Sequence, residues 1–172
     1  MALVSNVPRV GLKAERTNEG TLAPSTSSGR ALQVQARTLR AGVALHPPIY
    51  HVNTHTFRHK KVFLNSEYED LVRASFVETA AKWHIELIAF ELMPSHAHLL
   101  VRPAPQTPLP KAMNLLKGRA SRQLSARYPD LWFDLGGHLW NAGYYETRIK
   151  SAAQYDNVVR YIRDQKKRGG LE

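Results

Sequence analysis

The sequence predicts an α+β domain, one antiparallel sheet with helices packed on it, preceded by a segment without a core of its own. Three observations lead there. Residues 47–172 alternate short β-branched and aromatic runs with longer amphipathic ones, in the order β-α-β-β-α-β-α. Two of those strands are separated only by a tight turn, too short for a crossover, which makes the pair antiparallel. Residues 1–46 instead hold Pro8, Pro24 and the hydroxyl cluster Ser25 to Ser28, with no aromatic residue. Such a composition cannot bury enough apolar surface to order itself. The expected organisation is a basic, flexible extension over 1–46 and one domain over 47–172.

Each element has its own signal. Tyr50 to Phe57 alternates and is rich in β-branched and aromatic residues, so it reads as a strand. Ser66 precedes a helical run carrying Leu71, Phe76 and Val77, and is the expected N-cap. Ile85 to Leu92 is the second strand, Met93, Pro94 and Ser95 the turn, and His96 to Arg102 the third strand. Thr107 and Pro108 open the second helix, in which Leu109, Met113, Leu116, Ala120 and Leu124 follow at helical spacing. Tyr128, pushed out of the helical region by Pro129, closes it. Tyr144–Lys150 is the fourth strand and Ala152–Lys167 a final amphipathic helix. The first six elements form the split β-α-β, ferredoxin-like (RRM-like) arrangement, with two helices on one face of the sheet. The last helix is left for the other face, and the first and third strands are expected side by side at the centre.

Charge narrows the partner. Lys and Arg number 24 against 14 Asp and Glu, a net charge of +10, which favours a polyanion through phosphate neutralisation and counterion release. Lys117, Arg119 and Arg122 in the second helix, and Arg58, Lys60 and Lys61 after the first strand, are the candidate DNA phosphate contacts. The chain has no cysteine, which excludes disulfides and thiolate zinc sites and makes a reducing cytoplasm the expected location. No run approaches the roughly 20 apolar residues of a membrane span. Arg9, Lys13, Glu15 and Arg16 interrupt any secretory signal.

Two constellations carry chemistry. Side chains alternate along a strand, so His96 and His98 share one face and can chelate a divalent ion given a third ligand. In the last helix Tyr161 and Gln165 are four residues apart and stack on one face, at the edge of a stripe made by Val158, Val159 and Ile162. Tyrosine is a weak nucleophile at neutral pH because its pKa is about 10. A neighbouring cation addresses this by favouring phenolate and polarising a phosphate. The Gln165 amide oxygen suits a hard ion such as Mg²⁺ or Mn²⁺. Among the seven tyrosines, only Tyr161 has a glutamine four positions later. His51, Asn53 and His55 alternate on the first strand; one of the three is expected to flank the metal site, the others to be ordinary strand residues.

The run from Met93 to Val101 (Met-Pro-Ser-His-Ala-His-Leu-Leu-Val) resembles the HUH motif of the single-tyrosine transposases of small bacterial insertion sequences, the IS200-like family. Leu115 to Arg122 resembles their Leu-Lys-Gly helix segment, Leu139 to Tyr145 their Leu-Trp strand entry, and Tyr161 to Gln165 their Tyr-Ile-x-x-Gln catalytic helix. The likeness covers about residues 48–166, in the same order; residues 1–46 have no match in it. It implies metal ligation by His96, His98 and Gln165 and nucleophilic attack by Tyr161. It further implies a homodimer that recognises hairpins in single-stranded DNA at the element's ends. Such an enzyme cleaves beside them, leaves a 5′-phosphotyrosine and a free 3′-hydroxyl, and meets the nucleoid when active. The competing reading is a domesticated relative of the REP-associated tyrosine transposases, a hairpin-binding protein or nuclease without transposition. The intact Tyr161, Gln165, His96 and His98 speak against it. A two-histidine phosphoesterase would need paired His-x-Ser/Thr motifs, and an RNA-binding sheet would place aromatics where this chain has histidines.

Overall fold

The computed structural model describes residues 47–168, so the extension expected over residues 1–46 lies outside the described residues. Within them the order is β1 (Tyr50–His55), α1 (Ser66–Lys82), β2 (Glu86–Met93), β3 (His96–Arg102), α2 (Leu109–Arg127), α3 (Pro129–Asp134), β4 (Tyr145–Arg148), α4 (Ala152–Arg163) and α5 (Gln165–Arg168). The sheet order is β2-β3-β1-β4, and every neighbouring pair is antiparallel. The ferredoxin-like arrangement expected from the sequence is the one observed, with β1 and β3 at the centre.

The alternation of side chains sorts the sheet into two faces. Val52 of β1, Ala97, Leu99 and Val101 of β3, and Leu87, Phe90 and Leu92 of β2 form one buried layer. Against it α1 sets Val72, Phe76 and Ala80, while α2 sets Leu109, Met113, Leu116, Ala120 and Leu124. The opposite face carries a second, smaller cluster in which Ile49, Ile88, Ala89, Leu100 and Ile149 receive Tyr155 and Ile162 of α4. A register shift between Leu87 and Ala89 is what places consecutive residues, Ile88 and Ala89, in that same cluster. Helix α4 thus covers only part of its face, and the remainder is left to polar side chains.

Local departures from the sequence reading have physical causes. The N-cap of α1 is Asn65 rather than Ser66: the Asn65 side chain accepts a 2.9 Å hydrogen bond from the Glu67 N–H, a task to which asparagine is as well suited as serine. Helix α2 begins at Leu109, one residue after Pro108, and ends at Arg127 before Tyr128. Strand β4 is shorter than expected, Tyr145–Arg148. The unexpected α3 starts on Pro129, whose missing N–H costs nothing in a first turn. Gly136 and Gly137 end it, with φ of 66° and 78° that return their amides to the Phe133 and Trp132 carbonyls at 2.8 and 3.0 Å. The last helix does not run unbroken to Lys167 but stops at Asp164, an acidic residue at the unfavourable negative end of the helix dipole.

The segment after that break is held in place despite its shortness. Lys166 Nζ lies 2.6 Å from Glu69 of α1 and 3.6 Å from Glu91 of β2, and Arg73 bridges the same two carboxylates at 2.7 and 2.5 Å. The four charges wrap the β2 edge and join α1 to the carboxyl-terminal turn. Among the described residues no helix is long and apolar enough to cross a membrane.

Leu99 is fully buried on the central strand, so Leu99→Ala should cost about 3 kcal/mol, the methylenes lost plus the cavity left. Urea unfolding should show a lowered midpoint at unchanged slope; a loss under about 1 kcal/mol would mean that the central layer is not close-packed.

Candidate active site

Strand pairing assembles the polar part of the second face. Asn53 lies opposite His98 and His55 opposite His96, so β1 and β3 present their polar side chains together. The imidazoles form a connected series. Ring centroids of His96 and His98 are 4.9 Å apart and nearly perpendicular; His51 stacks on His98 at 5.5 Å, and His55 is 5.5 Å from His96. Helix α4, fixed by Tyr155 and Ile162, brings in Tyr161, whose ring lies 5.3 Å from that of His98 and 6.0 Å from that of His51. Tyr161 remains 37% exposed, packed against imidazoles yet open to a substrate. The sequence allowed one of His51, Asn53 and His55 beside the site; all three are beside the histidine pair, His51 and His55 by ring contacts and Asn53 opposite His98.

Burial holds these imidazoles neutral. His98 is pushed down to about 4, chiefly by desolvation and then by the neighbouring His96, His51 and His55. His96 is lowered by desolvation and by His55 and His59, and His51 by desolvation. A neutral imidazole is the form that ligates a metal or accepts a proton. His98 Nδ1, His51 Nε2 and Asn53 Oδ1 are also buried without a hydrogen-bond partner, so the donor set has lone pairs uncommitted to the protein and fits a divalent cation. Among the described residues, no group of three or more His, Cys, Asp or Glu forms a metal site by itself, so a cation held by His96 and His98 would need further ligands of another kind, such as amide, water or substrate oxygens. Gln165 opens α5 and does not continue α4, and its one described side-chain hydrogen bond is to the helix that carries Tyr161, not to the histidines. Its Nε2 donates to the Tyr161 carbonyl at 3.3 Å, which leaves Oε1 as the atom with ligand character.

The far end of the imidazole series is shaped by an irregular edge. Strand β4 pairs with β1 so that Tyr145 faces Asn53, and continued register would bring Gly143 opposite His55. Instead the His55 carbonyl accepts from the Asn141 N–H at 2.9 Å, and Trp140 bridges Thr56. Two extra residues therefore loop out before β4. Lys117 of α2 pins that loop: its Nζ donates to the carbonyls of Asn141, Ala142 and Gly143 at 2.7, 3.4 and 3.1 Å. Its side chain is buried, and burial lowers its pKa. Across the loop, Arg58 and His59 both adopt φ of 55°, a left-handed conformation costing non-glycine residues roughly 1–2 kcal/mol each. That reversal sets the His59 ring 4.6 Å from His55.

The basic residues singled out in the sequence are therefore not equivalent. Lys117 is a structural pin rather than a surface charge waiting for phosphate. Arg119 and Arg122 are exposed on α2, in the helix layer across the sheet from the imidazoles. Arg58, Lys60 and Lys61 are exposed next to the His55 end; there the Lys60 ammonium donates to the Asp134 carbonyl and the Arg58 guanidinium lies over the Phe57 ring at 5.1 Å. Sequence reasoning missed His59 and Tyr145. Tyr145 was within reach, because its position at the start of a strand paired to β1 follows from the fold. The left-handed pair that sets His59 against His55 has no such signal.

The sequence model of the family described as "Transposase IS200 like" matches residues 46–165. Over 89 residues the chain is 37% identical to the ISDra2 transposase TnpA of Deinococcus radiodurans. That stretch is 51% of this chain and 62% of the relative, so the chain spans less than two thirds of the protein it matches. A crystal structure of a candidate transposase from the same organism is 28% identical, with 75% of this chain and 97% of the other covered and a TM-score of 0.49. The structure of a REP-associated tyrosine transposase bound to a REP hairpin shares the fold at 16% identity and a TM-score of 0.55, over 73% of this chain and 70% of that one.

Removing the pin should be felt as stability. Lys117→Ala leaves three carbonyls short of a charged donor and should cost about 2 kcal/mol, whereas the exposed Arg119→Ala should stay within about 0.5 kcal/mol of the parent. Parallel urea titrations test this. Equal stability of the two variants would return Lys117 to the list of simple surface cations.

Proposed function

The chain belongs to the IS200-like transposase family, matched over residues 46–165, and from that premise we propose that it cuts and rejoins single-stranded DNA through a covalent bond to Tyr161. The observation that carries the reading is the Tyr161 phenol set beside His98, ring centroids 5.3 Å apart, by a helix docked on the strand that bears the histidine pair. His96 and His98, with Gln165 Oε1, are the residues to hold Mg²⁺ or Mn²⁺, which when bound would polarise the scissile phosphate and favour the phenolate. The Tyr161 oxygen bonds to phosphorus, and the bond from phosphorus to the 3′ oxygen of the preceding nucleotide breaks. That oxygen takes up a proton and leaves as a 3′-hydroxyl, while the phenolic proton passes to water or to a neutral imidazole. Attack by a different 3′-hydroxyl reverses the step and joins two strands. The phosphodiester energy is retained in the phosphotyrosine, so no nucleotide cofactor is needed.

The open sheet face favours single strands, which can bend to bring one phosphate against a strand-borne site. Hairpin recognition is supported by the REP-associated transposase of the same fold, held on a REP hairpin. The Tyr161–His98 arrangement favours a cutting enzyme over a relative that only binds. In Tyr161→Phe the covalent adduct with an end-labelled oligonucleotide, copied from DNA flanking the gene, should disappear while hairpin binding persists. Excess chelator or His98→Ala should give the same loss in the parent chain. An adduct that survives in Tyr161→Phe would move the nucleophile to Tyr144, Tyr145 or Tyr155, and one that survives chelation would remove the metal.

Joining two ends calls for two nucleophiles, and one chain supplies a single Tyr161, so the working unit is a homodimer. The approach of Tyr161 to His98 within one chain is compatible with a dimer of two self-contained centres and with exchange of α4 between partners. Mixing Tyr161→Phe with His96→Ala protein distinguishes them, since exchange regenerates one intact centre and restores part of the activity. A monomer in sedimentation at working concentration would exclude the dimer.

A further inference from the structure

We propose that the cleft lined by His55, His59, Asn141, Gly143, Tyr144 and Tyr145 is a nucleobase subsite, which holds one base of the single strand next to the phosphate that Tyr161 attacks. The proposal rests on the strand-cutting reading above and adds a residue-level account of how the strand is aligned.

The cleft has a volume of about 420 Å³, of the size of small-ligand pockets and ample for a base. Its walls are rings. Tyr145 is 75% exposed and stands nearly perpendicular to His55, with centroids 6.3 Å apart; His59 is 4.6 Å from His55 on the other side. Exposed aromatic rings that meet at an angle offer faces on which a base stacks without sequence preference. Asn141 adds a polar group. Its Oδ1 accepts from the Arg58 N–H at 3.3 Å, which leaves its NH₂ to donate to an acceptor on the base edge.

Three features tie the cleft to the catalytic end. It is continuous with the imidazole series, since His55 lies 5.5 Å from His96 and His96 lies 4.9 Å from His98; a strand whose phosphate reaches the histidine pair passes this cleft with an adjoining nucleotide. Both walls are also built by irregularities that the sheet itself does not require. One is the two-residue loop pinned by Lys117, the other the left-handed pair Arg58 and His59, and strain of that kind persists where the surrounding structure holds a side chain for use. The exposed Arg58 is tied to the cleft through its N–H, which donates to Asn141 Oδ1, and brings a positive charge to the neighbourhood of a strand whose base is inserted.

The test uses the full chain and a single-stranded oligonucleotide copied from DNA flanking the gene, with the cleaved bond first mapped by the wild-type adduct. Each nucleotide beside that bond is replaced in turn by an abasic residue. At one position the abasic strand should be bound and cut by wild type roughly 5- to 100-fold less well, the usual weight of one stacked base. Tyr145→Ala and His59→Ala should show the same loss on the intact strand and no further loss on that abasic strand, while Tyr145→Phe and Tyr145→Trp restore wild-type behaviour. A 2-aminopurine at the position should be quenched by wild type and not by Tyr145→Ala, with melting curves confirming that the variant is folded. Losses that are equal on intact and abasic strands, or no position with such an effect, would overturn the subsite while an adduct still supports the strand-cutting reading. A wild-type chain that neither binds nor nicks any strand overturns both.

Discussion

The register between β1 and β3 is the constraint on which the remainder of the molecule depends. Because side chains alternate with a period of two, a slip of one residue would turn the whole strand over. Val52, Ala97 and Leu99, all fully buried, would go to the polar face, and the histidines would be driven between the sheet and α1. Imidazoles there would be enclosed in the apolar layer, whereas in the observed register they face one another on the polar side, with His51, His55 and His96 only partly buried. The apolar layer therefore does more than stabilise. By fixing which residue of β1 faces which residue of β3, it places His55 against His96 and Asn53 against His98. The site inherits its geometry from the core beneath it.

On that platform the second half of the chemistry arrives on a separate element. Helix α4 is anchored by Tyr155 and Ile162 in a cluster smaller than the main one, and the turn behind it is tied by Lys166 to Glu69 and Glu91. Partly buried ion pairs of this sort add modestly to stability individually, yet they link the carboxyl-terminal turn to α1 across the sheet edge. The strands thus carry the histidine pair, while Tyr161 rides on a helix seated on the smaller cluster. In the proposed reaction that division would suit a tyrosine that holds a severed strand and later releases it.

How much of this the sequence carried depended on whether the signal was periodic. The histidine pair was legible because strand alternation alone puts His96 and His98 on one face. The α4 stripe was legible because Val158, Val159 and Ile162 fall at helical spacing, which leaves Tyr161 at its margin, whereas Tyr155, buried with Ile162, was not singled out as part of it. Single-residue competitions were not legible. Asn65 and Ser66 are both good caps, and only packing decides between them. Asp164 ends a helix whose pattern continued to Lys167. Lys117 was the most misleading residue: in sequence it is one more cation on a basic helix, and only the fold shows three carbonyls gathered around its ammonium. Counted that way, part of the chain's positive charge is already spoken for inside the protein. The positive φ of Arg58 and His59 falls in residue types that rarely adopt it, so it left no trace in composition or pattern.

That pair also bears on how the sequence can drift. A domain of this kind has about 5–15 kcal/mol of stability in all, and two left-handed non-glycine residues consume a few of them before any mutation occurs. Glycine or asparagine at position 58 would relieve part of that strain at once. Lineages that acquire such a replacement would gain room to accept destabilising changes elsewhere, at the cost of a looser hold on the neighbouring imidazole. Lineages that keep arginine there stay nearer the folding threshold and should tolerate fewer substitutions across the entire core.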